Sequence, residues 1–303
     1  MKISLLWTVG IAWLAILVCH TEVIAADNDA GKVDGDSATT PASPSAPAAP
    51  AIESVDDYET EGGGEKFSIL YADAPDLQEW TRKVLAPAVA KWYPMIVRML
   101  PSPEFEAPRK FTIEFTNKYH GVAATGGTHI MCDPSWYRKN IIPKGQGPGS
   151  VVHELVHVVQ QYGRARRANP GFRPPGWLVE GIPDYIRWYL YEPEAHGADI
   201  TERNFSRAKY DGMYRISANF LNWATAKYDP DLVPKLNTAL RDGSYQDVLW
   251  EKLTQRTLQQ LNDDWRQSLA DKLGIVIAPA PEAVGNKPGA EEKAAAKETT
   301  PGA

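Results

Sequence analysis

The stretch Val151-Val152-His153-Glu154-Leu155-Val156-His157-Val158-Val159-Gln160 decides how the rest of the chain is read. It is an H-E-x-x-H set in an otherwise apolar run, which predicts a buried helix. Residues four apart on a helix lie one above the other, with Cβ atoms about 5 to 6 Å apart. His153 and His157 can therefore grip one ion at the ~2.0 Å zinc-to-nitrogen distance. Glu154 sits one residue round from His153, where a carboxylate can take a proton from metal-bound water and pass it to a leaving amine. By itself the motif also suits two ordinary helix residues facing a polar gap, and it recurs by chance. The flanking Val and Leu residues weigh against that reading, because burying two imidazoles and a carboxylate without a partner is costly.

A catalytic zinc has three protein ligands and one position for water. Downstream, Pro175-Gly176-Trp177-Leu178-Val179-Glu180-Gly181-Ile182-Pro183-Asp184-Tyr185-Ile186-Arg187-Trp188 offers Glu180 as the third ligand. Asp184 is four residues further, on the same helical face, where it can accept the free N–H of a ligand imidazole. Spacing alone does not separate Glu180 from Asp184 as the ligand, and acidic residues are common near a helix start in any case. Spacing does exclude the metzincin arrangement. That pattern needs a glycine three residues after His157 and a histidine three further on, where this chain has Gln160 and Gly163.

Ahead of this helix, Lys66 to Tyr71 and Phe111 to Thr116 alternate apolar and polar residues, and Thr128 to Asp133 is a short apolar run between Gly126-Gly127 and Pro134. These are candidate strands. Between the first two, Leu77, Trp80, Val84, Leu85, Val89, Trp92 and Ile96 recur at helical spacing, with Pro87 and Pro94 expected to kink or split the helix. After Ser150 the pattern is helical nearly to the end of the domain. The expected fold class is α+β: a small mixed sheet packed on the active-site helix, then a largely helical C-terminal part.

The ends of the chain are poor material for a core. Met1-Lys2, the apolar run Ile3 to Val18 and the small-residue site at Val23-Ile24-Ala25-Ala26-Asp27 read as a signal peptide over 1–25. The rival is a lipoprotein anchor at Cys19, against which stands Val18, where a small residue is expected. The run falls short of the ~20 residues of a membrane span. Residues 26–64 are rich in Pro, Ala and Ser and read as a disordered linker, as do 276–303 as a tail. The folded unit is expected at 65–275. Removal of the signal leaves Cys132 as the one thiol, so no intramolecular disulfide is expected in the exported protein. A net charge of -6 gives no footprint for nucleic acid, and Arg164, Arg166 and Arg167 read as a solvated loop. Oligomeric state is not legible.

The residues His153 to Gln160, together with Trp177-Leu178-Val179-Glu180-Gly181-Ile182-Pro183-Asp184-Tyr185, resemble the basic secretory protein family, peptidases of plants and bacteria. Tyr214-Arg215-Ile216-Ser217-Ala218-Asn219-Phe220-Leu221 and Leu240-Arg241-Asp242-Gly243-Ser244-Tyr245 resemble two later signatures of that family, so the likeness runs from about 66 to 272. The resemblance implies a zincin-like fold, one Zn²⁺ per chain, export, and hydrolysis of peptide or protein substrates. It extends to the gluzincin pattern, which on this chain makes Glu180 the third ligand and Asp184 the partner of a ligand histidine, His153. It also implies a tyrosine or histidine on the oxyanion, for which Tyr214 is the candidate by position and Tyr162, Tyr185 and Tyr210 are competitors. In zincins the strand before the metal helix is an edge that pairs with substrate, which on this chain implies that Thr128 to Cys132 lines the cleft, beside the plainer reading of that strand as sheet packing. Two rival functions stand beside the peptidase. One is a secreted binding or envelope protein whose structural zinc is closed by a fourth ligand such as His129 or Asp184. The other is a zinc hydrolase acting on a non-peptide bond.

Overall fold

The computed structural model describes residues 54–141 and 147–277. The expected signal peptide, the Cys19 anchor, the linker up to 53 and the tail from 278 lie outside the described residues.

Five strands form one mixed sheet: β1 (Val55–Glu59), β2 (Lys66–Leu70), β3 (Lys110–Phe115), β4 (Ala123–Gly126) and β5 (His129–Cys132), in the order β1-β2-β3-β5-β4. The β1–β2 and β4–β5 pairs are antiparallel, whereas β2–β3 and β3–β5 are parallel. Alternation along the strands buries Phe67, Ile69, Phe111, Ile113, Phe115, Ile130 and Cys132 on one face and leaves Ser68, Thr112, Glu114 and Met131 on the other. Cross-strand partners Tyr58, Phe67 and Phe111 stack at 5.1 and 5.3 Å between centroids, tying β1 to β2 and β2 to β3.

The three candidate strands of the sequence are β2, β3 and β5, and two strands were not anticipated. β1 lies inside the stretch expected to be linker, so the folded unit begins about ten residues before the expected boundary at 65. Its sequence, VDDYE, lacks the apolar alternation that marks a strand. β4 takes the outer position beside β5, so Thr128 to Cys132 is not the edge strand: the edge is Ala123–Gly126.

The helices are α1 (Ala86–Met99), α2 (Pro134–Asn140), α3 (Gly149–Gln160), α4 (Gly176–Tyr185), α5 (Tyr214–Lys227), α6 (Leu232–Asp242), α7 (Val248–Thr254) and α8 (Leu258–Leu273). The predicted helix between β2 and β3 enters α1 through a π-helical turn at Thr81–Leu85, with Pro87 in its first turn and Pro94 inside it. The wider π turn before Pro87 accommodates its ring within the continuous helical run. α1 buries Val89, Tyr93 and Ile96, and the Tyr93 ring also packs, tilted by 31°, against Phe111 at 4.4 Å.

α3 is buried on nearly its whole circumference, as its sequence predicts, and packs against α1, α4, β4 and β5. It stops at Gln160. Gln161 adopts the left-handed conformation, φ 48°, and its amide donates back to Val158 O at 2.9 Å and across to Gly127 O at 3.1 Å. α4 lies close on α5 because Gly181 has no side chain: a Cβ there would stand 2.9 Å from Ser217 Cβ. Trp177, Phe220, Trp250 and Trp265 fill the space between α4, α5, α7 and α8. Among the described residues no helix is long and apolar enough to cross a membrane.

Candidate metal centre

α3 and α4 bring together the residues that the sequence singled out. His153 Nε2 and His157 Nε2 both face Glu180 Oε2, at 3.3 and 3.5 Å. Among the described residues these three form a group able to hold a metal ion, with donor atoms all within 4.8 Å of one another. Ligands about 2.0 to 2.1 Å from a tetrahedral zinc stand roughly 3.3 Å apart, so these separations are those of a donor set closing on one cation. Their side chains are 10, 17 and 23 % exposed, which leaves the cluster at the floor of an opening rather than sealed in the core.

The tautomers follow from the far side of each ring. Asp184 Oδ1 lies 2.7 Å from His153 Nδ1, and a carboxylate can only accept there, so Nδ1 carries a proton and Nε2 is the nitrogen turned toward Glu180 and a metal. His157 Nδ1 lies 2.8 Å from Gln160 Oε1, while the amide nitrogen of Gln160 donates to Val179 O at 3.1 Å. That second bond fixes which end of the amide faces the ring, so His157 too presents Nε2. Asp184 holds the position expected for it. Gln160 was read as a departure from the metzincin pattern and as the end of the family-like stretch, with no role of its own. Its place three residues after His157, on the same helical face, is the signal that could have found it.

Burial works against a charged His153, yet the carboxylates on its two nitrogens outweigh it and raise its pKa to about 10. Burial likewise opposes ionisation of Glu180, but its contacts to His153 and His157 lower it to about 2. The cluster is thus a pocket of negative potential that attracts a proton or a cation. Glu154, 8 % exposed, follows His153 on α3 and accepts a hydrogen bond on Oε2 from Thr125 Oγ1 of β4 at 2.8 Å.

Tyr214 opens α5 at the rim, 52 % exposed, its ring 6.3 Å from that of His153 and inclined by 24°. Partial burial, then the negative charges of Glu180, Asp184 and Glu154, raise its pKa. Met213 and Tyr214 both have positive φ, 64° and 44°, the kind of strained backbone that clusters at functional sites. The competing tyrosines are engaged elsewhere: Tyr162 donates to Asn237 at 3.1 Å, Tyr185 packs on Tyr189, and Tyr210 packs on Trp177. The other histidines of the domain do not join the cluster. His129 pairs with Glu114 at 2.8 Å and His196 with Asp199 at 3.2 Å, while His120 is exposed.

Fold and site together define an α+β protein with a His-His-Glu cluster suited to one metal ion. The family described as "Peptidase of plants and bacteria" matches residues 51–265, and the chain belongs to it. Compared with curated proteins and with solved structures, the chain finds no match.

Proposed function

We propose that the protein is an exported, zinc-dependent peptidase in which His153, His157 and Glu180 hold the metal and Glu154 is the general base. The observation that carries this reading is the approach of both Nε2 atoms to one Glu180 oxygen, at 3.3 and 3.5 Å, in a member of a peptidase family. Three donors leave a position for water, as a catalytic rather than a structural zinc requires. The fourth-ligand candidates do not fill it, since His129 is paired with Glu114 and Asp184 is committed to His153 Nδ1.

When bound, zinc supplies Lewis acidity and brings the pKa of its water toward about 7. Glu154 accepts the proton of the attacking water and returns it to the leaving amine. Tyr214, at the rim beside His153, is the donor for the oxyanion. β4 is the outer strand of the sheet, and its free edge is where an extended peptide would add by backbone pairing. Export rests on the apolar N-terminal run and its small-residue cleavage site.

The test is digestion of a peptide library by the full-length protein with and without a chelator, with zinc measured by elemental analysis. Glu154→Gln is expected to keep one zinc per chain and to lose roughly 10²- to 10⁴-fold in kcat. Wild-type hydrolysis by this variant, or cleavage unaffected by chelation, defeats the reading. Cleavage confined to non-peptide bonds would move the substrate class and leave the metal centre standing.

A further inference from the structure

The carboxylate of Glu154 is tethered to the edge strand. Thr125 Oγ1 lies 2.8 Å from Glu154 Oε2 and 3.1 Å from the carbonyl oxygen of the same residue. Thr125 is paired with Ile130 across the antiparallel β4–β5 ladder, and directly opposed residues share a face. Ile130 is fully buried, so Thr125 points to the side of the sheet that α3 covers.

A hydroxyl has one proton to give. Of the two acceptors, the carboxylate oxygen is nearer and charged, and hydrogen bonds to ionised groups are about twice as strong as neutral ones. The proton therefore goes to Oε2, and the carbonyl contact is secondary. Because threonine is branched at Cβ, its χ1 is stiff and the hydroxyl is held firmly. With Oε2 already engaged by Thr125, Oε1 is the oxygen with both lone pairs free to accept from water.

We propose that Thr125 is a positioning residue for Glu154, fixing the carboxylate in the orientation in which Oε1 meets the attacking water and coupling the edge strand to the base. This rests on the reading of Glu154 as general base. It assigns work to a residue outside both metal-binding helices. A threonine that served only to pin β4 onto α3 would act through the carbonyl contact, and its loss would be felt in stability and metal content rather than in turnover.

The experiment uses full-length, zinc-loaded protein and one internally quenched peptide taken from the wild-type library digest. Thr125→Val is expected to lower kcat about ten- to a hundredfold, with KM within about twofold, one zinc per chain and a near wild-type Tm. Thr125→Ser, which restores the hydroxyl, should recover kcat to within about threefold. In the Glu154→Gln background, Thr125→Val should cost nothing further, because residues that act as a unit are not additive. Where Thr125→Val does not fold, Thr125→Ala takes its place with the same expectations. Wild-type kcat in Thr125→Val beside an inactive Glu154→Gln overturns this proposal and spares the reading beneath it. Joint loss of zinc and Tm, or full additivity in the double variant, also overturns it. An active Glu154→Gln removes the reading itself.

Discussion

His153 has a carboxylate on each ring nitrogen, Asp184 at 2.7 Å and Glu180 at 3.3 Å, and this arrangement would make the proposed metal uptake a proton exchange. With its pKa raised to about 10, His153 is an imidazolium at neutral pH in the metal-free protein, and Nε2 must lose its proton before it can donate to zinc. Zinc binding at pH 7 should therefore release about one proton per ion, and apparent affinity should rise about tenfold per pH unit until the pH nears 10. Calorimetry in buffers of different ionisation enthalpy reads this directly, and a heat independent of buffer contradicts it. The same shifts set the stability of the metal-free protein. A raised histidine pKa stabilises fully below its unfolded value of 6.5, and the contribution fades as pH climbs through about 10. A lowered carboxylate pKa stabilises above its unfolded value of 4.5, and that contribution fades as pH falls toward about 2. Thermal scans without metal should accordingly peak between those two unfolded values. His153, Glu154 and His157 were legible in the sequence because helical spacing is local and sets them along one helix, whereas spacing left Glu180 and Asp184 interchangeable and only the family likeness chose between them. Thr125 was not legible, since its link to Glu154 crosses from a strand that the sequence pattern did not reveal.

At the scale of the element, α3 has to stand still for its imidazoles to stay in register with Glu180, and Arg241 of α6 holds its C-terminal end. The guanidinium donates to Val159 O at 3.0 Å and to Gln160 O at 3.1 Å, and also to Leu100 O at 3.0 Å just past the end of α1. Its Cζ lies over Phe105, 3.7 Å from the ring centroid. Helix C-termini leave carbonyls without partners, and a cation there also complements the dipole. Burial brings the pKa of Arg241 down to about 10, which still leaves it charged at neutral pH. Arg241→Leu should strand these carbonyls, costing about 3 to 5 kcal/mol, which for a domain of this size is on the order of 10 °C in Tm. Arg241→Lys should recover only part, since an ammonium cannot serve a fork of carbonyls at once. A Tm within a degree or two of wild type in the leucine variant would show that the clamp carries no weight. The segment Leu240 to Tyr245 was recognisable in the sequence only by its family likeness, because its role depends on helices that lie far from it along the chain. The strands divide in the same way: β2, β3 and β5 alternate because they bury one face, whereas β4 is Ala-Ala-Thr-Gly and offers no apolar signal.

At the scale of the whole molecule, the question is where the domain starts, and β1 answers it differently from composition. Pro-, Ala- and Ser-rich sequence up to Gly64 predicted a linker, yet Val55–Glu59 pairs residue for residue with Leu70–Lys66. Tyr58 stacks on Phe67, and Asp56 takes a two-pronged bond from Arg82 at 2.6 and 2.7 Å. The strand is held by backbone pairing and by two side chains, not by an apolar stripe, so hydrophobic pattern alone passes over it. Its removal would expose β2 as a new edge with Phe67 uncovered, a template for pairing between chains. A chain beginning at residue 65 should thus melt about 5 to 10 °C below one beginning at residue 51, given the lost aromatic pair, ladder and buried area. It should also aggregate at concentrations where the longer piece does not. The candidate metal site lies on α3 and α4, at the far end of the sheet order from β1, so on the proposed reading both pieces should bind one zinc per chain while they remain folded. Equal melting of the two pieces would mean that β1 adds no stability to the sheet. Loss of zinc by the shorter piece below its melting point would mean that the sheet transmits strain from one edge to the other.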